Sequence, residues 1–185
     1  THENSSAASD VYKRQVPYMA KSDSFFIRAS TSFNGTTYNQ SPVDLGAYVD
    51  ALGKSVLRIH NISVQWGEPV TEIVVAANQE NRNAFQLTTQ SQAAMVLAND
   101  KSVISTGSIA ASAGAAGELL TVTEALDIAP QHWTRGYLVG VEAIYLGVDS
   151  SVSTSMNMAS CQIVMECSVE TLSSSAAMAL ALSQQ

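Results

Sequence analysis

Apolar and polar residues alternate with a period of two along most of this chain, and that period predicts strands. In 24–33 (SFFIRASTSF), Phe25, Ile27, Ala29 and Phe33 fall on one face and Arg28, Ser30 and Ser32 on the other. Asn34-Gly35 follows, a dipeptide suited to a tight hairpin turn, so 36–40 is expected to pair back. Residues 160–172 (SCQIVMECSVETL) alternate as cleanly, with Cys161, Ile163, Met165, Cys167 and Val169 set against Gln162, Glu166, Ser168 and Glu170. The long strand 54–66 carries a phase error. Leu57 and Ile59 mark one parity, while Ile62, Val64 and Trp66 mark the other. Keeping both sets inward requires one extra residue near His60-Asn61, a β-bulge.

The other segments are shorter. Residues 44–53 suit a helical turn closed by Gly53; 72–77 and 84–89 read as strands on either side of a polar loop, 78–83. Residues 95–98 and 102–104 flank a turn at Asn99-Asp100 and alternate more faintly. Residues 107–117 (GSIAASAGAAG) read as a small-residue surface loop, 118–124 as a strand and 129–135 as a turn. Residues 136–148 are apolar on both parities. They read as one strand covered on both faces, with Tyr137, Val139 and Val141 inward. Leu138, Ile144 and Leu146 would lie under a helical turn or a neighbouring subunit. A Ser-rich turn at 149–155 precedes the last strand, and the tail 173–185 is expected to fray or dock as a short helix. Roughly eight to nine short strands without a βαβ rhythm predict an all-β chain. The expected architecture is an antiparallel β-sandwich of jelly-roll type with one or two short helical turns. Its core should hold Phe25, Ile27, Leu57, Ile59, Val64, Val139, Val141, Ile163 and Met165.

The front of the chain follows different rules. Residues 5–15, SSAASDVYKRQ, match the translation of a transposase-based sequencing adapter, Thr1 fits the adjoining primer, and His2, Glu3 and Asn4 fit a sample index. Residues 1–18 are therefore expected to be non-native, carried on a reading frame from mixed environmental DNA, with Met19 as the start. The sandwich then occupies 19–172. The formal net charge of −7 is unchanged by this exclusion, since Glu3 and Asp10 balance Lys13 and Arg14. Only 14% of residues are charged. Such a chain is poorly equipped to neutralise phosphates, so no direct nucleic-acid partner is expected. Low charge with abundant Ala, Ser, Thr and Val suggests a surface that meets other protein. No apolar run approaches the ~18 residues of a transmembrane helix. With Met19 first there is no signal peptide, so synthesis in a host cytoplasm is expected.

Chemistry is sparse. Cys161 and Cys167, six residues apart on one strand, would sit about 20 Å apart, too far for a disulfide, and read as buried thiols. Beyond the adapter only His60 and His132 remain, without the clustering a metal-dependent β-sandwich enzyme needs. The carboxylates are scattered singly, Glu166 and Glu170 reading as solvent-facing charges. No nucleophile elbow, P-loop or dinucleotide fingerprint occurs. No catalytic, cofactor or metal residues are expected, and no cofactor. Trp66, Trp133, Tyr137 and Tyr145 could form a stacking platform for a sugar, the rival reading being a carbohydrate- or receptor-binding module.

The stretch MAKSDSFFIRASTSFNGTTYNQSPVDLGAYVDALGKSVLRIHNISVQW, the front third beyond the adapter, resembles the opening of single jelly-roll capsid proteins of tailless icosahedral viruses of bacteria and archaea. The resemblance implies a capsid subunit of the virion, its partners copies of itself and a second capsid or penton protein. It implies no reaction. Only Lys21 and Arg28 lie near the expected start, so the basic arm of many RNA-virus coats is missing, as suits a shell separated from its genome. Leu138, Ile144, Leu146 and Trp133 are the interface candidates.

Overall fold

The computed structural model describes residues 22–50 and 54–185; the adapter-like segment lies outside these. The described chain forms nine strands: β1 (Phe25–Ser32), β2 (Asn39–Asp44), β3 (Ser55–Trp66), β4 (Glu80–Thr88), β5 (Val103–Ala113), β6 (Leu119–Ile128), β7 (Tyr137–Val139), β8 (Ala143–Ser150) and β9 (Ser160–Thr171). Two 3-10 turns, Pro130–His132 and Ser155–Asn157, and one helix, α1 (Ser174–Ser183), complete it. The helix is a full ten residues where the sequence promised a frayed tail or a short helix. Ser173 caps it by accepting a hydrogen bond from the Ala176 amide, and Ala177 and Ala181 are its buried contacts.

The strands form two antiparallel sheets, ordered β1-β9-β3-β7 and β2-β8-β4-β5-β6. The pairing is nested. β1 pairs with β9, β2 with β8, β3 with β7 and β4 with β5, and successive pairs fall in opposite sheets. A long hairpin rolled up in this way is a jelly roll. β6 is an addition, a hairpin partner of β5 that makes the second sheet one strand wider than the first.

The β3–β9 ladder runs the full length of the narrower sheet. Its register shifts between Ile59 and Asn61, leaving His60 as the extra residue. That bulge resets the phase as the sequence requires: Leu57 and Ile59 before it, and Ile62, Val64 and Trp66 after it, all oppose the inward residues of β9. His60 turns aside to share a 2.8 Å hydrogen bond with the Ser168 hydroxyl. Gln131 satisfies the peptide just beyond the bulge, since its side-chain oxygen accepts from the Ile62 amide and its nitrogen donates to the Ile62 carbonyl. Leu57, Ile59, Val139, Val141, Ile163 and Met165 are buried as expected, and Phe25, Ile27 and Val64 are half-buried against the same cluster.

Several local expectations fail for physical reasons. The Asn34-Gly35 turn forms, with Gly35 at φ +59 and an isolated Asn34–Thr37 bridge, yet β2 does not return to β1 and crosses to pair with β8. Residues 72–77 form no ladder; Val75 anchors them on a second small cluster with Ile109, Ala111 and Met156. The supposed polar loop 78–83 contains the start of β4, whose Asn81 and Asn83 are buried. Residues 95–98 form no strand. The first seven residues of the small-residue run, 107–113, belong to β5, and only 114–117 form the surface turn. A Cβ on Gly107 would stand 2.7 Å from the Phe85 ring, so the absent side chain is what admits that ring.

Two measurements check this architecture. Deleting His60 should turn Ile62, Val64 and Trp66 outward and abolish the cooperative urea transition, whereas His60→Ala should lower stability by only about 1 kcal/mol; a deletion variant that folds normally contradicts the bulge. Burial pushes the Cys161 and Cys167 thiols up to about 12, against about 8.5 in an unfolded chain. The folded chain thus keeps thiol protons that the unfolded chain releases. This contribution is full below pH 8.5 and declines as pH rises toward 12. Denaturation midpoints of the Cys161→Ala, Cys167→Ala double variant should fall less between pH 8 and 11 than those of the parent; equal slopes contradict the burial.

Candidate functional site

The inward positions of the sandwich are filled by Leu57, Ile59, Phe85, Leu87, Ile144 and Ile163, among other apolar residues, so candidate sites lie on its outside: a hollow on the narrower sheet beside Arg28, Ser30, Gln65 and Gln162, and one feature at each end. At one end, β7, α1 and the residues that follow the 3-10 turn, Trp133, Arg135 and Gly136, line an open cleft of about 560 Å³. Trp133, 46% exposed, leans on Tyr137 with ring centroids 6.4 Å apart. Leu138 and Leu180 give the cleft an apolar wall, and Arg58, Lys101 and Arg135 supply cations. Arg58 is committed elsewhere. It grips Glu170 with two 2.6 Å hydrogen bonds and also donates to the Arg135 carbonyl. Both partners are largely buried, which corrects the expectation of a solvent-facing Glu170. Lys101 donates to the Gln185 carbonyl.

Gln184 locks the helix end to this cleft. Its side-chain nitrogen donates to the Leu138 carbonyl at 2.7 Å and its oxygen accepts from the Gly140 amide at 2.8 Å, so one side chain stands in for a strand beside β7. Its backbone carbonyl accepts from Thr89 and Gln90, fastening the β4–β5 connection to the same point. Burial raises the Tyr137 phenol above its ordinary range, an effect partly offset by a hydrogen bond from Gln184.

The opposite end is acidic and apolar. The β5–β6 hairpin turns there through Gly114 and Gly117, and its Glu118 carboxylate accepts from the Ala116 amide. Leu119, Leu120 and Val122 are exposed, Leu120 to 65%. The narrower sheet offers no strand opposite β6, so residues 119–124 are exposed on both faces of the strand. Hydrogen bonds from Val74 to Met156 and from Asn78 to Gly114 hold residues 68–78 across the same end. That segment adds exposed Val70 and Val74. Glu68, Glu72, Glu118 and Glu124 stand exposed around these apolar residues.

The four interface candidates separate. Residues 136–148 are not one strand. β7 belongs to the narrower sheet and β8 to the wider one, the chain switching sheets between Val139 and Ala143. Each piece shows its own inward parity, which is why both parities are apolar. Ile144 and Leu146 are therefore fully buried in the core of the single chain and are corrected from interface to core. Leu138 is half-buried and lines the cleft, together with Trp133. Of the proposed stacking residues, Trp66 lies between Phe33 and Phe85, its indole N–H donating to Glu124. The expected strand 118–124 is β6, which runs on to Ile128; sequence reasoning missed its exposure and the Gln184 clamp. The run LLTVT carried the signal for β6, an apolar strand without lysine or proline.

Among the described residues, no group of three or more His, Cys, Asp or Glu gathers where a metal could sit. Among them, too, no helix is long and apolar enough to cross a membrane. Glu124 and Glu166 are engaged by Trp66 and Asn61.

No protein-family model matches the chain, and no curated protein matches it in sequence. Among solved structures it is similar to an unassembled VP1 pentamer of Washington University polyomavirus, at 7% identity and TM-score 0.46, over 80% of this chain and 93% of that one. It is also similar to the VP1 pentamer of human polyomavirus 7, at 7% identity and TM-score 0.42, over 81% and 95% of the two chains. VP1 of the trichodysplasia spinulosa-associated polyomavirus follows at 8% identity and TM-score 0.37, over 81% and 96%. The jelly-roll assignment rests on the strand order of the chain itself.

Proposed function

We propose that this chain is a viral structural protein, a capsid subunit that assembles with copies of itself, and with a second capsid or penton protein, into an icosahedral shell. It belongs in the virion, performs no catalysis and does not grip the genome directly. The observation that carries this reading is where the exposed apolar surface sits. A jelly roll that worked on a small molecule would open its interior, but here that interior is packed with apolar side chains. Six of the eleven large apolar groups left exposed among the described residues lie on β6, at Val70 and Val74, and at Trp133 beside the cleft; Phe26, Tyr48, Leu97, Met178 and Leu182 are the others. Contiguous exposed apolar surface of this kind marks protein–protein contacts. An uncovered apolar edge strand is an aggregation hazard unless a partner covers it. The resemblance of the opening third to jelly-roll capsid proteins points the same way.

A second reading keeps the fold and changes the partner. Trp133 against Tyr137, beside Arg135 and Gln184, would give a sugar a face to stack on, and the chain would then be a carbohydrate- or receptor-binding module. Sedimentation velocity of the full chain separates the two. The capsid reading predicts large discrete oligomers that disperse on dilution or in denaturant. A monomer that binds immobilised glycans, and loses that binding with Trp133→Ala, would replace it.

A further inference from the structure

We propose that the β5–β6 hairpin tip of one copy docks into the Trp133–Arg135 cleft of a second copy, joining subunits end to end. The inference rests on the self-assembly reading above and names the contact that reading needs.

The two surfaces match in charge and in polarity. The hairpin end presents Leu119, Leu120 and Val122 beside Glu118, with Glu124 further along the same strand and bonded to Trp66. The cleft presents an apolar wall of Trp133, Leu138 and Leu180 with Lys101 and Arg135 at its margin, and no carboxylate is among its lining residues. The groove beside the hairpin is complementary, lined by Glu68 and Glu124 and by no cation. In a chain with so few charges, this separation of sign between two apolar surfaces directs one toward the other.

A chain cannot fill its own cleft. The tip precedes the first residue of β6 and the cleft follows its last, and a ten-residue strand holds them about 30 Å apart. The partner must be another molecule, and the contact is heterologous: the tip of one subunit meets the cleft of the next and leaves its own cleft free. Such contacts propagate until a ring or shell closes them. β6 is also an edge strand, paired only with β5 among the described residues. Its outward peptide groups can be covered in the same contact. Two copies of the acidic hairpin would instead bring Glu118 and Glu124 of each against the other, which disfavours a symmetric edge-to-edge pair.

A charge swap on the full chain tests the proposal. Glu118→Lys alone and Arg135→Glu alone should each raise the protein concentration at half-assembly about tenfold, as read by mass photometry at 50 mM salt, while circular dichroism keeps its β signal. Combining them should return the midpoint to within about threefold of the parent, because the pair is restored with its signs exchanged. Lys101→Glu serves as the cleft partner should Arg135→Glu lose its β signal. A parent that assembles while the single variants assemble equally well places the contact elsewhere and overturns this proposal alone. So does a double variant no better than the worse single. A parent that stays monomeric overturns both this contact and the capsid reading.

Discussion

The whole sandwich depends on keeping β3 and β9 in phase. They are the two longest strands, twelve residues each, and a slip of one residue would turn every inward side chain of one of them to solvent. His60 prevents this by stepping out of the ladder, so that Leu57 and Ile59 on one side and Ile62, Val64 and Trp66 on the other reach the same core. The bulge has a local cost, an unpaired peptide beside a short β7. Gln131 meets it with both ends of its amide. The same device recurs at Gln184 on β7, and at Gln86, which donates to the Ala94 carbonyl and accepts from the Val96 amide to pin the loop after β4. A chain with little charge closes its edges with carboxamides.

Unequal sheets leave that scaffold with apolar surface uncovered. Four strands cannot cover five, so β6 carries apolar side chains that the single chain leaves in water, while the far end gathers cations around a cleft. Arg58 shows how tightly that end is organised. Its guanidinium ties β9 and the Arg135 loop to β3 through the buried Glu170, and removing one member of such a pair commonly costs about 3 kcal/mol or more.

The strands with strict alternation were legible, β1 and β9 most plainly, because each has one buried face. The bulge was legible too, since a parity change inside a continuous apolar strand has few other solutions. Three features were not. The 107–117 run has the composition of a loop, yet 107–113 are strand, and Gly107 is needed there because Phe85, distant in sequence, occupies the space above it. Residues 136–148 contain a change of sheet without the break in hydrophobicity that would announce it, which misassigned Ile144 and Leu146. Exposure of Leu120 and Val122 depends on how many strands the facing sheet has, a property no window of sequence contains. The cleft at Trp133 and Leu138 was half visible as two of four named residues. Its cations and its Gln184 clamp arrive from segments far apart in the chain.

That this jelly roll is built to join others of its kind is the central claim, and electron cryomicroscopy of the purified full chain addresses it directly. The account predicts closed particles of uniform diameter in which adjoining subunits cover the exposed face of β6. A field of single 20 kDa-class particles at every concentration and salt, with β6 in solvent, would contradict it.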